Sequence, residues 1–322
     1  IKPHYEYIDT LKGVAILLVV ILHLTIWFLY DAKGTLLNTI LSFAMPLFMY
    51  LSGIVVSEVP DAKKLFGKLR RYWTPFLVVG LTFALCARLP ILGFFTDSIK
   101  YGYWYLFALG LFYVLLFLIG KISSLFHRGK VYIDLFFLFA IPILDSIFSK
   151  TVSESWYNFL GLYHLRTFWP YFYGGFLVRK YHIINYADTH DWVYAVCLVV
   201  ALPLMILSVV RNYYFSFPGC FAICFVLVLL LRRRNSCQTK ITKELSRAGR
   251  NSLDVYIFHF FFLRLKGGLS FPSLGMWFRS TENYVLEFFV LLIIAIFIAY
   301  LSMGVGYIIR QSKILNKVFF GI

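Results

Sequence analysis

Long apolar runs recur along the whole chain, and they limit its fold more than any other feature. A run of roughly 17–25 apolar residues is long enough to cross the hydrocarbon core of a bilayer as a helix. The sequence predicts ten such spans, at 9–30, 36–58, 73–95, 102–120, 131–148, 165–178, 191–210, 214–231, 251–268 and 284–309. The expected fold is an all-α, polytopic transmembrane bundle. Because the sequence shows no repeat and no long linker, we expect a single membrane-embedded domain over residues 1–322.

The composition excludes a soluble protein. Hydrophobic residues make up 61% of the 322 residues and charged residues only 14%. A soluble domain carries about 25% charged residues, and it could not bury this much apolar surface. The chain is therefore expected to have membrane lipids as its surroundings.

The basic residues predict the orientation of the spans. With the N-terminus in the cytoplasm, 22 of the 31 Lys and Arg residues fall in segments predicted to be cytoplasmic. Cytoplasmic loops carry this excess in membrane proteins, so both termini are expected in the cytoplasm, with the first span as an uncleaved targeting signal. The net charge of +16 is divided among short loops that contact anionic lipid head groups, and nucleic acid is therefore not an expected partner.

Two ionisable residues lie inside the first apolar run. Lys12 and His23 are eleven positions apart, about three helical turns, so they share one face and lie ~16 Å apart along the axis. Asp9 precedes Lys12 by one turn on roughly the same face. Two interpretations are open. Lys12 is a snorkelling anchor and His23 a packing residue, or both line a polar track in which His23 is a general base and Lys12 holds an anion.

Six segments of the sequence form an ordered set. They are DTLKGVAILLVVILH, FAMPLFMYLSG, KLRRYWTPF, WYLFALG, WPYFYGGFLV and SLDVYIFHFF. In this order they resemble the acyltransferase-3 family of integral membrane acyltransferases, especially its fucose 4-O-acetylase-like branch. The family hallmark is Arg or Lys, ten residues, and then His, and Lys12 and His23 match it.

The resemblance implies a membrane-bound O-acyltransferase. Such an enzyme moves an acyl group, commonly acetyl, from acyl-CoA to a hydroxyl of a carbohydrate or lipid-linked glycan. His23 would be the catalytic histidine and Lys12 its basic partner. Acetyl-CoA would be a donor substrate and not a permanently bound cofactor. The implied setting is the bacterial inner membrane and the modification of envelope polysaccharides.

A basic cluster follows the second predicted span. Lys68, Arg70 and Arg71 are expected in a cytoplasmic loop, where they would bind the phosphates of acyl-CoA or serve only as a topology signal. Lys12 and Lys68 each stand where many members of the family have Arg. Because lysine makes point contacts, we expect a charge role at these positions and no bidentate contact.

Supporting roles are assigned to Asp9 and to three residues of later segments. Tyr256 and His259 lie one turn apart in the ninth span, where they would orient substrate or hydrogen-bond to a neighbouring helix. Trp104 belongs to a segment that resembles the family. The sequence has no HExxH, GxSxG, GxGxxG or P-loop motif, so no metal site, serine hydrolase or nucleotide-driven pump is predicted.

Two mechanisms and one alternative function are compatible with these residues. His23 either deprotonates an acceptor hydroxyl, which attacks the thioester directly, or becomes acylated and relays the acyl group. The alternative is a proton-coupled transporter or flippase of lipid-linked sugars, with Lys12 and His23 as the proton path. Transporters commonly contain an internal repeat, and this sequence shows none, so the acyltransferase is favoured.

Overall fold

All regular structure in the described part of the chain is helical. The computed structural model describes residues 6–29, 43–126, 129–211, 217–233, 239–264, 272–281 and 283–321. Its α-helices are α1 (Glu6–Trp27), α2 (Ala44–Ile54), α3 (Ala62–Cys86), α4 (Ile91–Thr96), α5 (Trp104–Ser124), α6 (Lys130–Phe148), α7 (Glu154–Phe159), α8 (Leu165–Lys180), α9 (Ile183–Thr189), α10 (Asp191–Arg211), α11 (Phe217–Arg233), α12 (Lys240–Arg250), α13 (Ser252–Arg264), α14 (Pro272–Thr281), α15 (Tyr284–Arg310) and α16 (Lys313–Phe320). Two 3-10 turns, Lys100–Gly102 and Leu162–His164, stand before α5 and α8. The prediction of an all-α fold is confirmed.

Each apolar run of the sequence overlaps a described helix, and residues 30, 36–42, 214–216 and 265–268 of these runs lie outside the described part of the chain. Among the described helices, α1, α5, α6 and α15 are long and apolar enough to cross a membrane. Helices α2 and α13 and the first part of α10 are shorter and apolar. The chain is an all-α membrane protein, while the number of ten spans and the side of the termini stay predictions.

Helix α6 has the burial pattern of a helix that faces lipid. Its buried residues are the carboxylates Asp134 and Asp145, whereas the apolar side chains of Phe136 and Ile143 are 63% and 59% exposed. A helix on the surface of a soluble protein shows the opposite pattern. In a bilayer the arrangement is favourable, because hydrocarbon covers the apolar face and the carboxylates find polar partners inside the protein.

The third apolar run gives a helix with other boundaries than predicted. Helix α3 begins after Asp61, whose side chain accepts a hydrogen bond from the amide of Lys64 at 2.7 Å. It ends at Cys86, four residues before the helix-breaking Pro90. The helix thus begins eleven residues before the predicted span 73–95 and ends nine residues earlier. Hydropathy misses this start because an N-cap followed by Lys and Leu residues favours a helix regardless of apolarity.

Residues 1–51 and 182–306 form one of two compact units. Helix α1 lies inside this unit, packed against α11, α12 and α13. Its side chains Val20, Ile21 and Leu24 have no exposed surface. The helix that carries Lys12 and His23 is therefore held on most sides by protein.

Helices α1 and α12 cross in backbone contact. A Cβ atom added to Gly13 would lie 2.0 Å from the carbonyl oxygen of Leu245, and one added to Gly249 would lie 1.8 Å from the carbonyl oxygen of Asp9. Only glycine allows this approach, as in the small-residue contacts of membrane helices. The two glycines fix α12 against the first half of α1.

Residues 52–181 and 307–322 form the second unit. Within it, α3 packs against α5 and α16, and α6 packs against α8. Its interior is aromatic: the rings of Phe112, Trp169 and Phe172 lie with centroids 5.4–6.2 Å apart. Such ring pairs add directional packing to the burial of large apolar area.

Candidate active site

His23 lies near the C-terminal end of α1 on the side that protein covers least. Its ring is partly exposed, whereas the neighbouring Ile21 and Leu24 are fully buried. Asp9 and Lys12 are also partly exposed. Asp9, Lys12 and His23 thus lie along the less covered side of α1.

A histidine from a distant part of the chain contacts His23. The Nδ1 atom of His23 lies 2.8 Å from the Nε2 atom of His259, and the two ring planes differ by only 17°, with centroids 5.0 Å apart. His259 lies on α13 and is fully buried. Its Nδ1 atom lies 2.9 Å from the carbonyl oxygen of Val255, one turn earlier on the same helix.

These two contacts define where the hydrogens lie. The carbonyl of Val255 can only accept, so Nδ1 of His259 carries a hydrogen and donates it. In the neutral ring, Nε2 of His259 is then an acceptor, and Nδ1 of His23 must donate to it. Neutral His23 therefore has its lone pair at Nε2. The chain of bonds from Val255 through His259 holds His23 in the tautomer that a general base needs.

Aromatic rings hold the imidazole of His23 in place. Trp27, one turn later on α1, stacks on it with a centroid distance of 4.7 Å and an interplanar angle of 10°. Phe260 lies 5.0 Å from His23 and 4.0 Å from His259. A stacked indole also favours a cation above its face, so the frame suits an imidazole that becomes positively charged during a reaction.

Tyr256 and His259, both predicted to support His23, lie on α13 and are buried. Tyr256 is buried on α13, with its ring centroid 6.1 Å from that of His259. His259, predicted only as a supporting residue, is the direct hydrogen-bond partner of His23. The spacing of Tyr256 and His259 indicated a shared helix face, but nothing in the sequence identified α1 as the helix that this face meets.

Lys68, Arg70 and Arg71 lie on α3, not in a loop, and in the second unit. The Nζ atom of Lys68 lies 5.1 Å from the ring centroid of Tyr113, and Arg70 and Arg71 are exposed. At ~100° per residue, Arg71 lies ~60° around the helix from Lys68, whereas Arg70 lies ~160° away. Helix α3 presents Lys68 and Arg71 on one side and Arg70 on the other.

Trp104 belongs to a different cluster, in the second unit. Its ring stacks on His164 with centroids 3.8 Å apart and on Phe168 at 4.9 Å. The Nε2 atom of His164 lies 3.0 Å from the carbonyl oxygen of Ser98. The pKa of His164 is lowered to about 4, mainly by burial and also by the nearby charge of Lys100, against the opposing effect of the Ser98 carbonyl. Trp104 thus stacks on a buried, neutral histidine.

Lys100 completes this cluster. It is 1% exposed and adopts a positive φ of 50°. Its ammonium donates to the carbonyl oxygens of Phe95 at 2.6 Å and Asn158 at 2.7 Å. Burial lowers the pKa of Lys100 to about 8, against the opposing charge of Asp97. The lysine ties together two loops that the sequence predicts on the outer side of the membrane.

No metal site is found in the described part of the chain, where no three His, Cys, Asp or Glu side chains converge. The chemistry available at His23 is that of a base or nucleophile held by a second histidine.

Comparison with known proteins identifies the family. The profile of the acyltransferase domain matches residues 5–304, nearly the whole chain. Comparisons with curated proteins and with solved structures gave no significant match. The matched region contains Lys12 and His23 as well as His259, and the resemblance of the sequence segments is confirmed at the level of the family. The chain belongs to the acyltransferase-3 family of membrane acyltransferases.

Proposed function

We propose that this membrane acyltransferase transfers an acetyl group from acetyl-CoA to a hydroxyl of a carbohydrate or lipid-linked glycan, in the bacterial inner membrane. The observation that carries the proposal is the hydrogen bond between His23 and His259. It directs the hydrogen of this partly exposed imidazole to Nδ1 and the lone pair to Nε2, which is the tautomer that can accept a hydroxyl proton. Membership of the acyltransferase-3 family supports the choice of an acyl group as the one transferred.

In the direct mechanism, Nε2 of His23 accepts the proton of the acceptor hydroxyl while the hydroxyl oxygen attacks the thioester carbonyl carbon. A C–O bond forms and the thioester C–S bond then breaks. The coenzyme A thiolate takes the proton from Nε2 and leaves as the thiol. Between these steps His23 is an imidazolium, whose Nδ1–H donates to His259 and whose face lies on Trp27.

The same nitrogen serves the relay mechanism. Nε2 would attack the thioester itself, release coenzyme A and form an acyl-imidazole, which the acceptor hydroxyl then cleaves. His259 orients His23 equally well in both mechanisms, as the third member of a catalytic triad orients its histidine.

The donor and the remaining polar residues complete the proposal. Lys68 and Arg71, which share one side of α3, would bind the phosphates of acetyl-CoA. Lys12, on the same side of α1 as His23, would hold an anionic group of a substrate. His259, Tyr256 and Asp9 would act by positioning the residues that contact substrate.

Acetyl transfer by the purified, full-length protein tests the proposal. The protein in detergent or nanodiscs is incubated with radiolabelled acetyl-CoA, with and without an extract of lipid-linked glycans, and label in glycan and in free acetate is counted. We expect transfer by the wild type and a loss of 10²–10⁴-fold in the His23→Ala variant, the range typical of a lost general base. His190→Ala, at a partly exposed position between α9 and α10, is the matched control and should stay active.

Binding of acetyl-CoA separates the proposal from the transporter alternative. The acyltransferase should bind acetyl-CoA in both wild-type and His23→Ala forms, because a base acts in the chemical step and not in donor binding. A transporter of lipid-linked sugars would bind no acetyl-CoA and release no acetate from it. Full activity of His23→Ala with a verified acceptor would contradict the role of His23.

A further inference from the structure

A cleft lies in the unit that contains α1, on another side of this helix than His23. It has a volume of about 310 Å³ and is bounded by α1, α12 and α15. Its walls are apolar, formed by Leu17 of α1, Leu245 and Ala248 of α12, and Ile296 and Met303 of α15. Three polar residues also line it, and these are Lys240, Glu244 and Tyr300.

The cleft opens on another side of α1 than the candidate active site. Leu17 follows Lys12 by five residues and precedes His23 by six. At ~100° per residue these offsets place Leu17 ~140° around the helix from Lys12 and ~120° from His23. A molecule in the cleft therefore does not lie on the side of α1 that carries the proposed catalytic groups.

The surroundings of the cleft indicate what fills it. On α15, next to the cleft, Ile293 and Phe297 are 68% and 64% exposed, as expected of a helix side that faces lipid. Apart from Lys240, Glu244 and Tyr300, the side chains of the walls are apolar and give a soluble polar ligand no hydrogen-bond partner. A volume of 310 Å³ holds about ten groups of the size of water or methylene, at ~30 Å³ each. An acyl chain from the bilayer fits both the lining and the size.

Charge at the cleft selects the head group. Helix α12 carries four basic side chains and a single acid, Glu244. The carboxylate of Glu244 accepts a hydrogen bond from the hydroxyl of Tyr300 at 2.6 Å, and Arg247 lies 3.8 Å from it. Lys240 is the first residue of α12. It lines the cleft together with its neighbour Ile241, which is 72% exposed. Of the charged residues of α12, Lys240 and Glu244 line the cleft. Because Arg247 offsets the charge of Glu244, the ammonium of Lys240 favours a phosphate at this end.

We propose that this cleft binds one acyl chain of an anionic phospholipid, with the lipid phosphate against Lys240. The predicted topology places α12 on the cytoplasmic side, so the lipid comes from the inner leaflet. Because Gly13 and Gly249 hold α12 in backbone contact with α1, the bound lipid also supports the position of the helix that carries His23. The proposal is independent of the identity of the acyl acceptor.

Native mass spectrometry of the full-length protein tests the proposal. Detergent-solubilised protein is mixed with phosphatidylglycerol or phosphatidylcholine, and retained lipid is counted. We expect one phosphatidylglycerol bound at least tenfold more tightly than phosphatidylcholine. Ile296→Trp should fill the cleft and lower this affinity at least tenfold. Ile293→Trp, one turn earlier on the same helix and outside the cleft, should leave the affinity unchanged.

A charge variant tests the proposal without altering packing. Lys240 is exposed, so Lys240→Glu should fold normally and bind phosphatidylglycerol at least tenfold more weakly than the wild type. Lys243 is a neighbour outside the lining, so Lys243→Glu should weaken this binding less. The proposal would be overturned if Lys240→Glu and Lys243→Glu retained equal amounts of phosphatidylglycerol, or if Ile296→Trp and Ile293→Trp did. The proposal would also be overturned if palmitoyl-CoA displaced the bound lipid while added phosphatidylglycerol did not. The cleft would then be assigned to the acyl chain of an acyl-CoA donor.

Discussion

His23 and His259 are 236 positions apart in the sequence, and their ring nitrogens lie 2.8 Å apart. Because Nδ1 of His259 donates to the carbonyl of Val255, the hydrogen of His23 is directed to Nδ1 and the lone pair to Nε2. The second histidine thereby acts as a positioning residue for the first. This relationship leads to predictions that distinguish an orienting bond from simple packing.

We expect His259→Leu to lower kcat by about two orders of magnitude, since loss of the orienting bond leaves both tautomers of His23 accessible. His259→Gln should retain more activity, because its side-chain oxygen can accept from Nδ1 of His23. Acetyl-CoA affinity should be the same in both variants. The measurement is kcat and KM for acetyl transfer by purified protein.

The comparison of the two variants at His259 is decisive because both remove the imidazole. A purely structural role predicts that Leu, which suits a fully buried site, performs at least as well as Gln. That order of activities would show that packing, and not the acceptor atom, is what His23 needs.

Donor binding is expected to depend on the side of α3. The double variant Lys68→Gln, Arg71→Gln should weaken acetyl-CoA binding and reduce its dependence on salt, because fewer charges contact the phosphates. Arg70→Gln removes a cation from the opposite side of the helix and is the matched control. Affinity is measured by calorimetry at low and high salt on correctly inserted protein. If Arg70→Gln weakens acetyl-CoA binding by half as much as the double variant or more, in terms of binding free energy, the cations act only through the general positive charge.

Hydropathy predicted most helices of this chain but could not predict its site. Long apolar runs become helices because unpaired backbone groups are too costly in a bilayer, so the elements follow from composition and length. The start of α3 does not follow from composition and length, because it depends on the cap formed by Asp61. The pairing of His23 with His259 depends on which helices meet, and helical spacing reports only which residues of one helix share a face.

The cleft beside α12 was beyond prediction for a related reason. Its lining comes from three helices, and each contributes residues that look like ordinary packing positions in the sequence. The basic residues of α12 were predicted as a topology signal, since nothing in one dimension places Lys240 beside Ile296.

The crossing of α1 and α12 predicts an unusual sensitivity at Gly13. Gly13→Ala would place a Cβ atom 2.0 Å from the carbonyl oxygen of Leu245, so the helices must separate. We expect a loss of about 1–3 kcal/mol of stability, as for other overpacked sites, and lower activity because α1 shifts. Gly304→Ala, where nothing lies within 4 Å of the new atom, should be neutral or stabilising, since alanine favours helices. Thermal unfolding in one detergent compares the two, and equal melting temperatures would contradict the contact.

The buried His164 predicts a loss of stability in acid. Its pKa in the folded protein is about 4, against an ordinary value of 6.5. Above pH 6.5 neither the folded nor the unfolded chain binds a proton at this position. As the pH falls from 6.5 to 4, the unfolded chain binds a proton that the folded chain excludes, and the folded state loses stability. A difference of this size corresponds to at most about 3.5 kcal/mol, at ~1.4 kcal/mol per pH unit.

The variant His164→Phe isolates this contribution from all other titrating groups. Phenylalanine keeps a ring on Trp104 but binds no proton, so its melting temperature should fall less than that of the wild type between pH 7 and pH 5. The bond from His164 to the carbonyl of Ser98 is lost, so the variant should be less stable at pH 7, where the wild type has its full stability. His190→Phe, at a partly exposed position between α9 and α10, should follow the wild type. If His164→Phe loses as much stability in acid as the wild type, His164 takes up its proton in the folded protein without cost, and the cluster with Trp104 is open to water.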